Sequence, residues 1–457
     1  MERVSATGPA AHPRDRLRRD LGLSDATLLV VSGVIGSGIF LTPGRIAELL
    51  PGAEWILAAW AAGGLISLAG ALANAELAAM FPRAGGNYVY LREAFHPAAG
   101  FLVGWLGFFV IYAGTVATLA AGFSRALVDF LPLGDGGRVA VAVGLVAVTS
   151  LLNFVGVRWG ALANNVTALL KLGALSLFAC AGLAVAFWSG GAAPAAAAPA
   201  APEAATAIGF ALALSPVLFS YLGWNSSVFV ASEIRDPGRN VPRSLFLGLA
   251  LCAAVYLLLN GMYLAALTAE GLRGVPDAGR AAAQVLFGDR SSRVVGLLVL
   301  ASILGTLNAT VLIGPRILYA MALDALFFEA AERAHARYRT PSAAIAIQAA
   351  MAILILLVFE SSFERALDAT TFAILLAALA DVAALYRLRA HRPDLPRPYR
   401  AWGHPWVPGV YALALLGVAL ALLFAKPGES ALGLGLVALG LPAYLFFAAR
   451  SRGRERD

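Results

Sequence analysis

Two apolar segments carry small or polar residues at positions where a membrane-spanning helix should be continuous. The first is residues 34–40, Val-Ile-Gly-Ser-Gly-Ile-Phe, and the second is residues 216–225, Pro-Val-Leu-Phe-Ser-Tyr-Leu-Gly-Trp-Asn. A helix that breaks inside a membrane leaves N–H and C=O groups unpaired, which is costly unless they line a cavity or meet a ligand. The N-terminal end of a resumed half-helix suits a carboxylate, whereas free carbonyls suit an ammonium. One α-amino acid would satisfy both groups, so the two breaks together predict an α-amino acid as ligand.

This chemistry places Ser37 and Gly38 on the carboxylate side of the ligand and the carbonyls of Val34, Phe219 and Ser220 on its amine side. The candidate substrate-binding residues are Val34, Ile35, Gly36, Ser37, Gly38, Phe219, Ser220, Leu222 and Asn225. Gly-Ser-Gly by itself also fits close packing between helices. The second interruption favours the ligand site, because broken helices at matching places in two halves are typical of inverted-repeat transporters.

Lys171 lies deep in an apolar run. It is about 16 Å from a helix start near Gly160 at 1.5 Å per residue, too far for the side chain to reach the membrane surface. Its charge must therefore be neutralised, paired or functional. Two interpretations remain open: a structural lysine that donates to backbone carbonyls, or an ammonium that replaces a coupling sodium ion at the break of the first helix.

Few other groups in the sequence could carry chemistry. Glu76 and Asp381 are predicted near the inner ends of helices, where we expect them to be solvated, and Glu233 is expected to pair with a neighbouring arginine. The sequence contains no metal-spaced cluster, phosphate loop or nucleophile elbow. It therefore predicts no metal, no cofactor and no enzymatic activity.

The composition explains what must position these residues. Of 457 residues, 60% are hydrophobic and 13% are charged, against roughly 25% charged in a soluble domain. Uncharged runs near or above the roughly 20 residues that cross a bilayer, with a weaker candidate near 364–386, predict an all-α membrane protein with twelve transmembrane helices. The runs are 26–44, 55–75, 97–124, 139–157, 172–202, 204–232, 244–269, 294–315, 340–359, 401–425 and 430–449.

The basic residues predict the orientation of the chain. The formal charge is +7, but the Lys and Arg residues concentrate in the two tails and in alternate loops, which is the positive-inside pattern and not that of a nucleic-acid partner. Both termini are therefore predicted to be cytoplasmic, in a plasma membrane, and the Ala-, Gly- and Arg-rich composition suggests a bacterial inner membrane. Cys180 and Cys252 both lie in apolar runs, so no disulfide-linked subunit is expected.

The predicted organisation is one integral domain whose only other partners are the lipid bilayer and an amino acid substrate. Its segments are a basic cytoplasmic N-terminal tail (1–23), a first inverted repeat of helices 1–5 (24–188), an Ala/Pro-rich extracellular loop (189–206), a second inverted repeat of helices 6–10 (207–388), a basic loop with helices 11 and 12 (389–449), and a cytoplasmic tail (450–457).

Several motifs resemble the amino acid–polyamine–organocation (APC) superfamily, and most closely its L-type amino acid transporter branch. They are 33–40 in the first helix, 75–77 and 81–90 (Phe-Pro-Arg-Ala-Gly-Gly-Asn-Tyr-Val-Tyr) around the next loop, 219–225 and 233–242 at and after the second break, and 397–399 (Arg-Pro-Tyr). The resemblance covers roughly residues 20–450. It implies a LeuT-type fold of five plus five inverted helices, with helices 1 and 6 broken and two helices added, and alternating access to a site at mid-membrane.

The resemblance also implies residue roles. Phe219 matches the aromatic gate, and Lys171 matches the helix-5 lysine that stands in for sodium and approaches a small polar residue of helix 8, for which Ser302 is the nearest match. Leu222 departs from the Gly, Ala or polar residue of many relatives and puts the pocket size in doubt. Ser232 also departs, replacing the first of two acids often seen before the inner loop.

The sequence therefore predicts a sodium-independent secondary transporter of small or neutral L-amino acids that works by exchange. One alternative is a proton- or sodium-coupled amino acid symporter. An alternative of another class is a non-transporting membrane sensor that binds an amino acid, although the short tails leave no room for an output domain.

Overall fold

The structure is a computed structural model that describes residues 15–188, 207–358, 363–425 and 427–454. The Ala/Pro-rich loop at 189–206 and the outermost residues of both predicted tails lie outside these ranges. Within them the chain is helical, and nine helices are long and apolar enough to cross a membrane. Two shorter apolar helices and the less apolar helix Phe363–His391 supply three further candidate crossings, and this all-helical architecture confirms the predicted fold class.

We number the membrane-crossing helices 1–12 in chain order. Their bounds are Leu23–Val34 with Gly38–Leu41 (helix 1), Ala53–Met80 (2), Pro97–Leu127 (3), Asp135–Phe154 (4), Val157–Trp188 (5), Ala207–Tyr221 with Ser226–Phe229 (6), Pro237–Leu272 (7), Ser291–Leu323 (8), Ser342–Val358 (9), Phe363–His391 (10), Trp406–Ala425 (11), and Pro427–Ala438 with Gly440–Arg454 (12). Shorter helices are Pro43–Leu49, Asn87–Ala94, Ala231–Glu233, Ala278–Phe287 and Glu329–Glu332.

Local sequence sets several of these boundaries. Helix 3 begins with Pro97 at its first position, where the missing N–H costs nothing, and the ring Nδ1 of His96 accepts a hydrogen bond from Ala98 N at 3.1 Å. Helix 3 also contains one π-helical segment, Leu106–Tyr112. Helix 2 ends at Met80, directly before Phe81-Pro82, because the residue before a proline is disfavoured in a helix.

Helices 1 and 8 lie at the centre of the bundle. In their most apolar 18-residue stretches, 61% and 67% of the residues are buried, against 28% in helices 4, 5 and 11 and 17% in helix 12. Helix 1 packs against helices 5, 7 and 8. The peripheral helices keep large apolar side chains such as Leu177 and Phe424 exposed, as a lipid-facing surface requires.

The N-terminal segment identifies one face of the bundle, which we call the tail face. Leu21 pairs with the segment after helix 6, donating from its N–H to Glu233 O at 3.0 Å and accepting from Arg235 N at 2.9 Å. Arg16 N donates to the hydroxyl of Tyr319, near the end of helix 8, at 3.0 Å. We call the opposite surface the far face. Helix 1 runs from the tail face to the far face and helix 6 runs the other way, so the two broken helices are antiparallel.

Candidate functional site

The breaks of helices 1 and 6 touch each other through their backbones. Helix 1 is interrupted at residues 35–37, and helix 6 at residues 222–225. A Cβ atom added to Gly33 would lie 2.6 Å from the carbonyl oxygen of Gly223, and one added to Gly223 would lie 2.5 Å from Gly33 O. Gly223 also has φ = +93°, which an L side chain rarely adopts. Both positions therefore require glycine, because only glycine lets the backbones of the two breaks approach this closely.

A second contact joins the resumed half of helix 1 to helix 6. A Cβ atom on Gly38 would lie 2.8 Å from Ser220 Oγ. The hydroxyl of Ser220 donates to Pro216 O at 2.9 Å and lies 3.0 Å from the hydroxyl of Thr42. The hydroxyl of Thr42 also lies 3.0 Å from Gly38 O, so either hydroxyl can be the donor in the contact between Ser220 and Thr42.

The N–H groups of Gly36, Ser37 and Gly38 form a row of donors at the helix 1 break. No backbone hydrogen bond from these three N–H groups occurs within the described part of the chain. They precede the half-helix Gly38–Leu41, whose N-terminal end carries partial positive charge. This arrangement is suited to a carboxylate.

The carbonyls predicted on the amine side are each engaged once. Tyr256 of helix 7 donates its hydroxyl to Val34 O at 2.9 Å and to Ser220 O at 3.0 Å, and Leu222 N donates to Phe219 O at 3.1 Å. A carbonyl oxygen has two lone pairs, so each can still accept an ammonium proton. Nothing in the sequence around Tyr256 distinguishes it from other tyrosines in apolar helices, and sequence reasoning missed it.

Lys171 is buried, with 2% of its surface exposed, and its ammonium meets the break of helix 1. Lys171 Nζ donates to Ile35 O at 2.8 Å, to the hydroxyl of Thr306 at 3.0 Å and to Ser32 O at 3.4 Å. Among the described residues it forms no ion pair. The charge is therefore satisfied by backbone carbonyl dipoles and one hydroxyl.

The prediction that Ser302 is the helix-8 partner of Lys171 is wrong. The hydroxyl of Ser302 is buried and has no hydrogen-bond partner in the described residues, whereas Thr306, one turn later, contacts both the lysine and the helix 1 carbonyls. Gly305 explains the choice, because a Cβ atom there would lie 2.6 Å from Lys171 Cε. The lysine therefore reaches helix 8 at the turn that lacks a side chain.

A cavity of about 1110 Å³ begins at the two breaks. It is lined by every predicted substrate-binding residue except Ile35, whose carbonyl is held by Lys171. Phe219 and Leu222 are both half-buried and line this cavity, so the leucine does not point away from it. The cavity reaches the far face, where exposed Arg45 and Glu48 form part of its rim.

The tail face is closed by ion pairs, of which the one between Glu233 and Arg316 is fully buried. Glu233 and Arg316 are both 0% exposed and joined by two bonds, Nε–Oε1 at 2.7 Å and Nη2–Oε2 at 3.1 Å. Asp324 binds Arg92 at 2.5 Å and accepts from the hydroxyl of Tyr88 at 2.7 Å. Glu233 does pair with an arginine, but from helix 8, 83 residues away along the chain. The structure is thus open towards the far face and closed towards the tail face.

The prediction that Glu76 and Asp381 are solvated is wrong. Glu76 is 0% exposed and binds Arg389 at 2.5 Å, Arg397 at 3.3 Å and Ala401 N at 2.6 Å. Asp381 is 1% exposed. The loop after helix 10 folds back over Glu76, and the helices packed around Asp381 exclude water from that carboxyl. Neither contact could be predicted from the position of these residues near helix ends.

Comparison with known proteins gives a consistent assignment. The sequence pattern of the amino acid permease family matches residues 21–445. The serine/threonine exchanger SteT of Bacillus subtilis is 30% identical over 443 residues, which covers 95% of this chain and 98% of that protein. The human large neutral amino acids transporter small subunit 2 is 29% identical over 94% of this chain and 80% of its own length. The mouse Asc-type amino acid transporter 1 is 27% identical, with 95% and 82% covered.

These matches confirm the resemblance that the motifs indicated and the prediction of a membrane transporter that is not an enzyme. They cover both broken helices, Lys171 and the cavity between them. The chain belongs to the amino acid permease family of the APC superfamily.

Proposed function

We propose that this protein exchanges small or neutral L-amino acids across the membrane without sodium. The observation that carries the proposal is the ammonium of Lys171 on the carbonyls of Ser32 and Ile35, directly beside the donor row of Gly36, Ser37 and Gly38. A fixed positive charge at these carbonyls replaces the cation that a sodium-coupled carrier would bind there. The names of the relatives, a serine/threonine exchanger among them, support exchange of such substrates.

The substrate is proposed to bind between the two breaks. Its carboxylate would accept hydrogen bonds from the N–H groups of Gly36, Ser37 and Gly38, and its ammonium would donate to the carbonyls of Val34, Phe219 or Ser220. Its side chain would face Phe219, Leu222 and Asn225, which line the same cavity. A neutral side chain fits, because these lining groups carry no charge. Phe219 is the proposed gate on the far-face side.

We propose that the tail face is cytoplasmic and the far face extracellular, in a bacterial inner membrane with both termini inside. The positive-inside pattern of the loops supports this orientation. Residues 24–188 and 207–388 are the proposed inverted repeats. No disulfide-linked subunit is proposed, since the two cysteines, Cys180 and Cys252, are free and lie within helices 5 and 7.

The test is uptake of labelled amino acids into proteoliposomes in sodium-free buffer at symmetric pH. Serine, threonine, alanine and leucine are each offered to empty vesicles and to vesicles preloaded with the unlabelled amino acid. We expect uptake only into preloaded vesicles, and protein-free liposomes give the background.

Each other outcome selects an alternative. Uptake that requires sodium would replace the proposal with sodium symport. Accumulation in empty vesicles driven by a pH gradient would replace it with proton symport. Saturable binding to folded protein without any uptake would favour the sensor.

A further inference from the structure

Asp381 is a buried carboxyl of helix 10 that has no ion-pair partner among the described residues. It is 1% exposed. Neither carboxyl oxygen has a well-aligned hydrogen bond within the described residues, although the amide of Asn74 lies close enough to act as a weak donor to it. Ten residues separate it from the helix end at His391, which is about 15 Å at 1.5 Å per residue. It therefore cannot reach the water at that end.

The groups around Asp381 are polar and uncharged. Asn74 of helix 2 lies beside the carboxyl, and Tyr90 of the helix Asn87–Ala94 lies close enough to interact electrostatically with it. Tyr112, from the π-helical segment of helix 3, and Tyr411 of helix 11 are also close enough to interact electrostatically with the carboxyl. Asn74 Oδ1 and the hydroxyl of Tyr90 are also buried without a hydrogen-bond partner in the described residues.

The charged groups of the neighbouring helices are engaged elsewhere. Glu76, two residues after Asn74, is held by Arg389 and Arg397. Arg389 itself lies eight residues beyond Asp381, or about 12 Å along the helix axis. The helix Asn87–Ala94 also packs on helix 10, and its Arg92 and Glu93 pair with Asp324 and Arg83. Pro427–Ala438, packed there too, adds no described ionisable side chain. Asp381 therefore has no cation to compensate an ionised carboxylate.

One proton on Asp381 would remove the uncompensated buried charge. An ionised carboxylate buried without a partner costs several kcal/mol. A protonated carboxyl gains an O–H that can donate to Asn74 Oδ1, while its other oxygen can accept from the hydroxyl of Tyr90. The protonated carboxyl thus offers a donor to the amide oxygen and an acceptor to the phenol hydroxyl, which otherwise lack partners in the described residues.

The transport cavity comes within one turn of this carboxyl. Ala377 and Ala378, four and three residues before Asp381, line the cavity, and so do Tyr112 and Tyr411. These two tyrosines have hydroxyls that can pass a proton between cavity water and a carboxyl. The cavity is therefore a route by which Asp381 can gain and lose a proton.

We propose that Asp381 is a proton-binding site served by the transport cavity, and that transport requires its protonated form. The carboxylate takes a proton from cavity water and gives it back to the same water, with no other bond made or broken. This inference rests on the proposed function only where transport is measured, because proton binding can be tested on the protein alone.

The first test is infrared spectroscopy of the purified protein in lipid, which needs no substrate. We expect a protonated carboxyl C=O band that shifts in D2O and is missing in Asp381→Asn. The matched control is Asp135→Asn, which removes an exposed carboxylate bonded to Arg138 and should leave the band intact. A band that persists in Asp381→Asn, or no such band in the parent protein, would overturn the proposal.

The second test compares the pH dependence of exchange in the parent and in Asp381→Asn. The asparagine mimics the neutral acid in shape and can still donate to Asn74. The parent rate should fall as the pH rises, approaching about tenfold per pH unit once most of the carboxyls are ionised, and the variant rate should not vary with pH in this way.

Two results separate the possible failures. Coincident pH profiles of the parent and Asp381→Asn, or a flat parent profile, would refute control of transport by Asp381. Absence of exchange in the parent would refute the proposed function and leave the infrared result standing. If Asp381→Asn does not fold, Asp381→Glu should move both the band and the pH profile, and an unmoved band and profile would refute the site.

Discussion

The breaks of helices 1 and 6 are stabilised in different ways. The carbonyls at the helix 1 break are bonded by side chains from three other helices: Lys171 of helix 5, Tyr256 of helix 7 and Thr306 of helix 8. The helix 6 break is closed largely by its own residues. Ser226 donates to Gly223 O from its hydroxyl at 2.5 Å and from its N–H at 3.1 Å.

This difference suggests different roles in the transport cycle. A break held by three helices cannot change shape without altering contacts in all of them, so helix 1 is placed to transmit ligand binding through the bundle. A break closed by a local turn can move as one piece. The hydroxyl of Tyr256 is the link between them, since it bonds a carbonyl of each break.

The largest effect is expected where the two breaks touch. Gly223→Ala would force a side chain onto φ = +93°, at about 1–2 kcal/mol, and place its Cβ 2.5 Å from Gly33 O, at about 1–3 kcal/mol more. We expect exchange to fall more than about 30-fold, with a lower melting temperature. Gly417→Ala in helix 11, where nothing lies within 4 Å of the added atom, is the control. Full activity of Gly223→Ala would mean that the breaks need not touch.

Removal of the cation at the helix 1 break should have the next largest effect. Lys171→Met deletes charge-assisted hydrogen bonds worth about 1.5–3 kcal/mol, so exchange should fall about 10- to 100-fold. Leu170→Met, at a neighbouring exposed position, is the control. The measurement is the exchange rate in vesicles. If Lys171→Met exchanged as fast as the parent, the lysine would not be what holds the helix 1 break.

Loss of the shared hydroxyl should have a smaller effect. Tyr256→Phe removes the one hydroxyl proton that is shared between a carbonyl of each break, worth about 0.5–1.5 kcal/mol, which predicts exchange about 2- to 10-fold slower. Tyr263→Phe in the same helix removes a hydroxyl that has no hydrogen-bond partner in the described residues and should be near neutral. Equal effects of the two variants on the exchange rate would show that Tyr256 does not link the breaks.

The smallest effect is expected at the locally closed break. Ser226→Ala removes one hydroxyl bond to Gly223 O, while the N–H of residue 226 still donates to it at 3.1 Å. The loss should be about 1 kcal/mol or less, and exchange should stay within about fivefold of the parent rate. Ser292→Ala, which removes a similar hydroxyl bond, to Asp289 O at 2.8 Å, away from both breaks, is the control. A loss as large as that of Lys171→Met would remove the contrast between the two breaks.

Much of the fold could be predicted from the sequence, because crossing a bilayer demands long uncharged helices. The twelve crossings and both interruptions follow from that demand. Lys171 also stood out in the sequence, since an embedded lysine is rare. Residues 189–206, which the sequence predicts as a loop, lie outside the described part of the chain.

The contacts of the candidate site could not be predicted in the same way. Ser302 and Thr306 lie on the same face of helix 8, one turn apart. The sequence does not determine which of the two Lys171 contacts. Glu233 meets Arg316 across 83 residues, and sequence distance gave no reason to choose that arginine. Such pairings depend on how far each helix is shifted along and turned about its axis.

The sequence by itself determined that this protein crosses a membrane, where its first and sixth helices break, and that a lysine is embedded beside them. These features follow from hydrophobic runs, glycine positions and the cost of burying charge, all of which are local. Only the tertiary structure decided that Tyr256 joins the two breaks, that Thr306 meets Lys171, and that Asp381 lies buried behind the cavity without an ion-pair partner in the described residues. These contacts join residues distant in sequence, so they exist only once the helices have packed.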